Sequence, residues 1–137
     1  MGAAMLTFVV LTAGSLLWMG FAHFREKGRI QPGDLYTVAN GGGYAIVKIL
    51  AVDEGAVHVR VYKNAFATRP SRVDESSLTL GTIHDADGFG MGHVPISRER
   101  FEAWQPRFLA RSAVKKEELE GYEIWKGANG GVWEPPN

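Results

Sequence analysis

Cysteine is absent from all 137 residues. That excludes disulfides, thiolate nucleophiles and cysteine-ligated zinc in one step. It leaves the redox compartment open, since a cysteine-free chain is viable in any of them. A surplus of either charge is also missing: 15 Lys and Arg balance 15 Asp and Glu. A nucleic-acid binder usually carries a basic surplus or stripe, so no nucleic-acid partner is expected. No G-x-S-x-G segment occurs, which removes one signal for serine hydrolysis. There is no internal repeat and no low-complexity tract. What is present, 45% hydrophobic and 22% charged residues, is the composition of a folded protein rather than a disordered one.

Formal charge is lacking altogether from Met1 to Phe24. This stretch is apolar on all sides and long enough to cross a bilayer as a helix, which needs roughly 20 residues. Trp18, Phe21, His23 and Phe24 stand where an interfacial aromatic belt is expected. Arg25, Lys27 and Arg29 follow, and no basic residue precedes. Basic residues favour the cytoplasmic side, so the expected topology is single-pass, N-terminus out, domain in the cytoplasm. Two other readings stand beside this anchor. One is a signal peptide with Gly20 and Ala22 before the cut, although the usual basic start is missing. The other is a native start near Arg29. Those would make the protein secreted or periplasmic, or cytoplasmic. The expected organisation is a transmembrane or signal-like segment over 1–24, a basic linker over 25–32 and one α+β domain over 33–137.

Within that domain the pattern changes to alternation. Leu35 to Asn40 alternates and ends at the Asn40–Gly43 turn. Tyr44 to Asp53 is apolar on both faces apart from Lys48, which suits a central strand. Glu54 and Gly55 turn the chain. Val57, Val59 and Val61 then face one way, and His58, Arg60 and Tyr62 the other. Three strands joined by tight turns predict an antiparallel meander. A further short strand is expected over Leu78–Ile83. Arg60, Lys63, Arg69 and Arg72 could form a modest basic patch, with Asp74 and Glu75 beside it. Ser97 caps an expected short helix carrying Phe101 and Trp104, ended at Gln105-Pro106. Ser112 caps a second, stopped by Asn129, Gly130 and Gly131 and weakened by Gly121. Trp104, Tyr122, Trp125 and Trp133 are the expected core aromatics here.

The segment His84–His93, HDADGFGMGH, concentrates two histidines, two aspartates and three glycines. A calcium loop of EF-hand type fails, because its twelfth position counted from Asp85 is Ile96. Zinc could use His84 and His93 with Asp85 or Asp87, but the spacing matches no standard site. Backbone geometry accounts for more. Asp-Ala-Asp-Gly is turn chemistry, and Gly88, Gly90 and Gly92 would give one side of an extended strand a smooth face for close approach.

Gly33–Val38, GDLYTV, and Gly43–Tyr62, GYAIVKILAVDEGAVHVRVY, together resemble the opening of small β-barrel, SH3-like immunity proteins that bacteria keep against secreted toxins. The resemblance covers residues 33–62. It implies a barrel-like sheet and a toxin partner occluded by the sheet face and the glycine-rich loop.

The expected fold is therefore α+β: an N-terminal single transmembrane helix, then a small antiparallel, partly closed sheet with two C-terminal helices. The expected function is a non-enzymatic, membrane-tethered binding module with a protein partner and no cofactor. Its exposed contact set would be His58, Arg60, Tyr62, Asp85, Asp87 and His93, since Tyr and Arg are enriched at binding hot spots. Two alternatives are a metal-assisted hydrolase built on His84, Asp85, Asp87 and His93, and a structural subunit of a membrane complex.

Overall fold

The computed structural model describes residues 29–133. The compact unit begins at Gln31 and carries a five-stranded antiparallel sheet in the order β4-β3-β2-β1-β5. The strands are β1 (Leu35–Asn40), β2 (Gly43–Val52), β3 (Val57–Val61), β4 (Met91–Ile96) and β5 (Arg107–Ala110). Two short helices accompany them, α1 (Arg98–Ala103) and α2 (Glu120–Gly127), with 3-10 turns at Glu75–Ser77 and Lys116–Leu119.

Local chemistry sets the first hairpin. Asn40 pairs with Gly43, and Gly41 and Gly42 take φ of +54° and +87°. A two-residue loop with both φ positive matches the right-handed twist of the strands it joins. In the second hairpin Ile49 faces Val59 and Ala51 faces His58, so Leu50 is an extra residue in β2. Such a bulge bends the strand and strengthens its twist.

Register sorts the side chains onto two faces. Tyr36, Val47 and Val61 are cross-strand neighbours on one face; Leu35, Lys48 and Arg60 are neighbours on the other. The first face is covered by α1. Ser97 caps that helix by accepting from the Arg100 backbone, as its sequence predicts. Phe101 is buried, with its ring edge-on to Tyr36 at 5.4 Å, and Phe108 of β5 meets Tyr36 at 5.9 Å. The second face is covered by the long loop after β3 and by the segment that carries α2. Leu35, Ile46 and Tyr62 form its core, with Phe66, Val73, Leu78, Leu80 and Leu109 packed on them.

Several expectations are corrected here. Among the described residues the architecture is a mostly antiparallel five-stranded sheet with two short helices, and the membrane-spanning helix of the expected fold has no counterpart there. Among the described residues no helix is long and apolar enough to cross a membrane. The longer helix, α2, has 8 residues, against roughly 20 for a span. The span expected over 1–24 lies outside the described residues. The strand expected at Leu78–Ile83 does not form. Gly81 takes φ of +62°, which breaks extension, although Thr79 and Leu80 still accept single backbone bonds from Lys63 and Gly90. The second expected helix starts later, because Ser112 gives its hydroxyl to Glu75 instead of capping. Strand β5 was not expected at all. Pairing of β5 with β1 makes β5 one edge of the sheet and β4 the other.

Candidate functional site

β3 carries its polar side chains inward. His58 is 0% exposed and Tyr62 is buried; Arg60 is largely covered. The expectation that these three form an exposed face is therefore corrected. Alternation of polar and apolar residues usually marks one solvated face. Here residues 63–90 and 112–130 run over that face, and its polar groups find protein partners instead of water.

Two adjoining clusters result. In the first, the buried Lys48 ammonium donates to Glu75 Oε1 at 2.6 Å, to the Ala113 carbonyl at 2.7 Å and to Glu118 Oε1 at 3.0 Å. An ammonium has three donors, and all three are used. Arg60 Nε lies 3.9 Å from Glu118 Oε2 and makes no hydrogen bond. Burial raises the Glu75 pKa, but the hydrogen bonds from Lys48 and Ser112 outweigh it and the net shift is downward. The Tyr62 hydroxyl is pushed up to about 12 by burial and by the Glu118 charge.

The second cluster centres on His58. Its Nε2 meets Asp53 Oδ2 at 2.8 Å, and its Nδ1 meets His93 Nε2 at 2.9 Å. Tyr122 Oη donates to the other Asp53 oxygen at 3.1 Å. The rings of Tyr122 and Trp125 stand edge-on to His58, with centroids 4.6 and 4.4 Å away. Helix α2 brings both rings, and its backbone lies against β4: a Cβ on Gly121 would sit 2.7 Å from His93 Cβ. Burial lowers the pKa of both histidines. Asp53 partly offsets this for His58, and the neighbouring imidazole adds to it for His93. Burial thus favours the neutral form of both, and with both rings neutral the hydrogen-bond chain fixes their tautomers. A carboxylate only accepts, so His58 carries its proton on Nε2. Its Nδ1 is then the acceptor, and His93 must donate from Nε2. The remaining lone pair of the chain is His93 Nδ1.

The third group is the 82–91 loop. Lys63 donates to Asp85 at 2.9 Å and to Asp87 at 3.1 Å. Asp85 also accepts from the Thr82 backbone and hydroxyl, and the Lys63 and Thr82 bonds hold its carboxyl below the usual range. Gly88 takes φ of +99°. Gly90 lies so close to the Val61 carbonyl that a side chain there has no room. The turn and the close approach at Gly90 follow the sequence pattern. The histidines and aspartates do not converge: His93 is committed to His58, and Asp85 and Asp87 to Lys63. Among the described residues no group of three or more His, Asp or Glu is placed to hold a metal ion. The basic patch is also dispersed, because Arg69 turns to the Tyr44 ring and to the Thr37 backbone.

Sequence reasoning singled out His58 and His93 but missed Asp53, and it read Tyr122 and Trp125 as core alone. The hairpin could have supplied Asp53, which stands five residues before His58 across the Glu54-Gly55 turn. The link to α2 has no local signal. Comparison with protein-family models, curated proteins and solved structures finds no match to this chain.

Proposed function

We propose that the protein is a non-enzymatic binding module that captures a protein partner on an apolar rim beside β4. The observation that carries this reading is the exposure of large apolar side chains there. Ile83 and Phe89 on the loop, Met91 at the start of β4 and Ile124 on α2 are 72%, 53%, 52% and 66% exposed. Single exposed hydrophobics are ordinary, but a concentration of them marks a contact surface. The Lys63 bridges to Asp85 and Asp87 brace the loop that presents two of the four. The resemblance over 33–62 suggests a toxin as the class of partner. Of the expected contact set, Asp87 and Asp85 lie on this loop, whereas His58 and Tyr62 act from beneath as support.

The test replaces Phe89 and Met91 together by serine. The expected result is loss of the partner retained from a lysate of the source cells, with the melting temperature within about 2 °C of the parent, as for surface changes. Retention of the same partner by both proteins contradicts the proposal.

A further inference from the structure

The second cluster carries an inference that is independent of any binding partner. We propose that His58 and His93 form a two-proton switch that undocks helix α2 from the sheet in acid. The 2.9 Å contact between His58 Nδ1 and His93 Nε2 has room for one hydrogen. With both rings neutral, His93 donates and His58 accepts. A first proton enters at His93 Nδ1 and leaves every bond of the chain in place, opposed by burial and by the neighbouring imidazole. A second proton has nowhere to go. It must sit on the fully buried His58 at Nδ1, where N–H then faces the N–H of the partly buried His93. Two adjacent imidazolium ions would repel each other across one shared carboxylate, and the facing N–H groups would lose their acceptor, which is costly in a covered site.

The same bond is the seat of α2. The helix rests on His93 through Gly121 and on His58 through the edges of Tyr122 and Trp125, and it reaches Asp53 through the Tyr122 hydroxyl. A helix this short is not stable without tertiary packing. The surrounding charges do not relieve the pair. Asp53, from the β2–β3 turn, is the one carboxylate in contact among the described residues and already accepts two bonds. Glu123 acts on Tyr122, and Lys126 lies 5.9 Å from the Tyr122 ring centroid. Arg60, two residues along β3, is engaged with Glu118. Burial holds both folded-state pKa values low, so the undocked form takes up protons that the docked form refuses.

Amide hydrogen exchange on the full chain between pH 7.5 and 4.5, corrected for intrinsic rates, tests this. Alongside it, imidazole NMR follows His58 and His93. The expected result is that α2 protection falls by roughly tenfold per pH unit for one linked proton and up to about a hundredfold for two, while β2 stays protected. The variant His93→Gln keeps a donor toward His58 and cannot be charged, so its α2 holds protection to lower pH. Three results overturn the proposal: unchanged α2 protection at pH 4.5, loss of β2 and α2 together, or both imidazoles becoming charged while α2 stays docked. If His93→Gln fails to fold, the wild-type comparison of α2 with β2 still decides.

Discussion

Lys48 and His58 occupy the same face of neighbouring strands, and both are fully covered, yet they solve the burial problem differently. Lys48 is an ammonium whose three donors meet two carboxylates and a carbonyl. That arrangement leaves no donor of the ammonium unused. Burial favours the neutral form of His58, whose two bonds are complete only while the His58–His93 contact holds a single hydrogen. One cluster is a fixed tie between β2 and the two 3-10 turns. The other is conditional. Burial of polar groups is thus compatible with rigidity or with responsiveness, and proton count decides which.

The comparison breaks most visibly at Lys48. Lys48→Met leaves the buried Glu118 carboxylate without its main partner, and removing one member of a buried pair costs about 3–5 kcal/mol. Urea unfolding should show that loss, and adding Glu118→Leu should return much of it. A loss under about 1 kcal/mol would mean that the tie contributes little. Gly121→Ala comes next. Alanine should favour the helix by roughly 1 kcal/mol. The added Cβ meets His93 Cβ at 2.7 Å, and overpacking of this kind costs about 1–3 kcal/mol. The net result should be destabilisation; a more stable variant would show that α2 is not seated on His93.

Acid separates the two regions along the pH axis. Both histidine values are lowered on folding. The unfolded chain therefore binds more protons below its own value of about 6.5, and stability falls as pH drops from there. The Glu75 value is lowered as well, but for a carboxylate the loss begins only below about 4.3 and runs down through the folded value. Stability measured against pH should show two declines in that order, and His93→Gln should flatten the upper one. A single decline near pH 4 would place both clusters in the fixed class. The smallest effect is expected at Asp87, where the carboxylate is exposed and Lys63 keeps its bond to Asp85. Asp87→Asn should leave the melting temperature unchanged within error, as solvent-exposed ion pairs usually do.

The three strands of the meander were legible because their information is local: alternation, a Gly-Gly turn, and a central run with one charge. Lys48 marked β2 as unusual without revealing its partners, which lie 27 and 70 residues away. Strand β5 was illegible, since four residues between Pro106 and Ser112 have no period of their own and become a strand only beside β1. His58, Arg60 and Tyr62 were found as a set but placed on the wrong side of the boundary with water. Alternation gives their common face; it cannot show that a long loop and the segment carrying α2 will cover it. The turn at Asp85–Gly88 is legible because Asp85 bonds the Thr82 backbone and Gly88 takes positive φ, whereas the close approach of Gly90 to Val61 depends on β3.

The most direct measurement is a long-range proton–nitrogen NMR spectrum of the imidazoles at pH 7.5. The predicted result is that His58 and His93 are both neutral and both protonated on Nε2, with the His58 Nε2 proton shifted by its bond to Asp53. A His58 protonated on Nδ1, or an imidazolium at either residue, would contradict the one-hydrogen contact on which the conditional cluster rests.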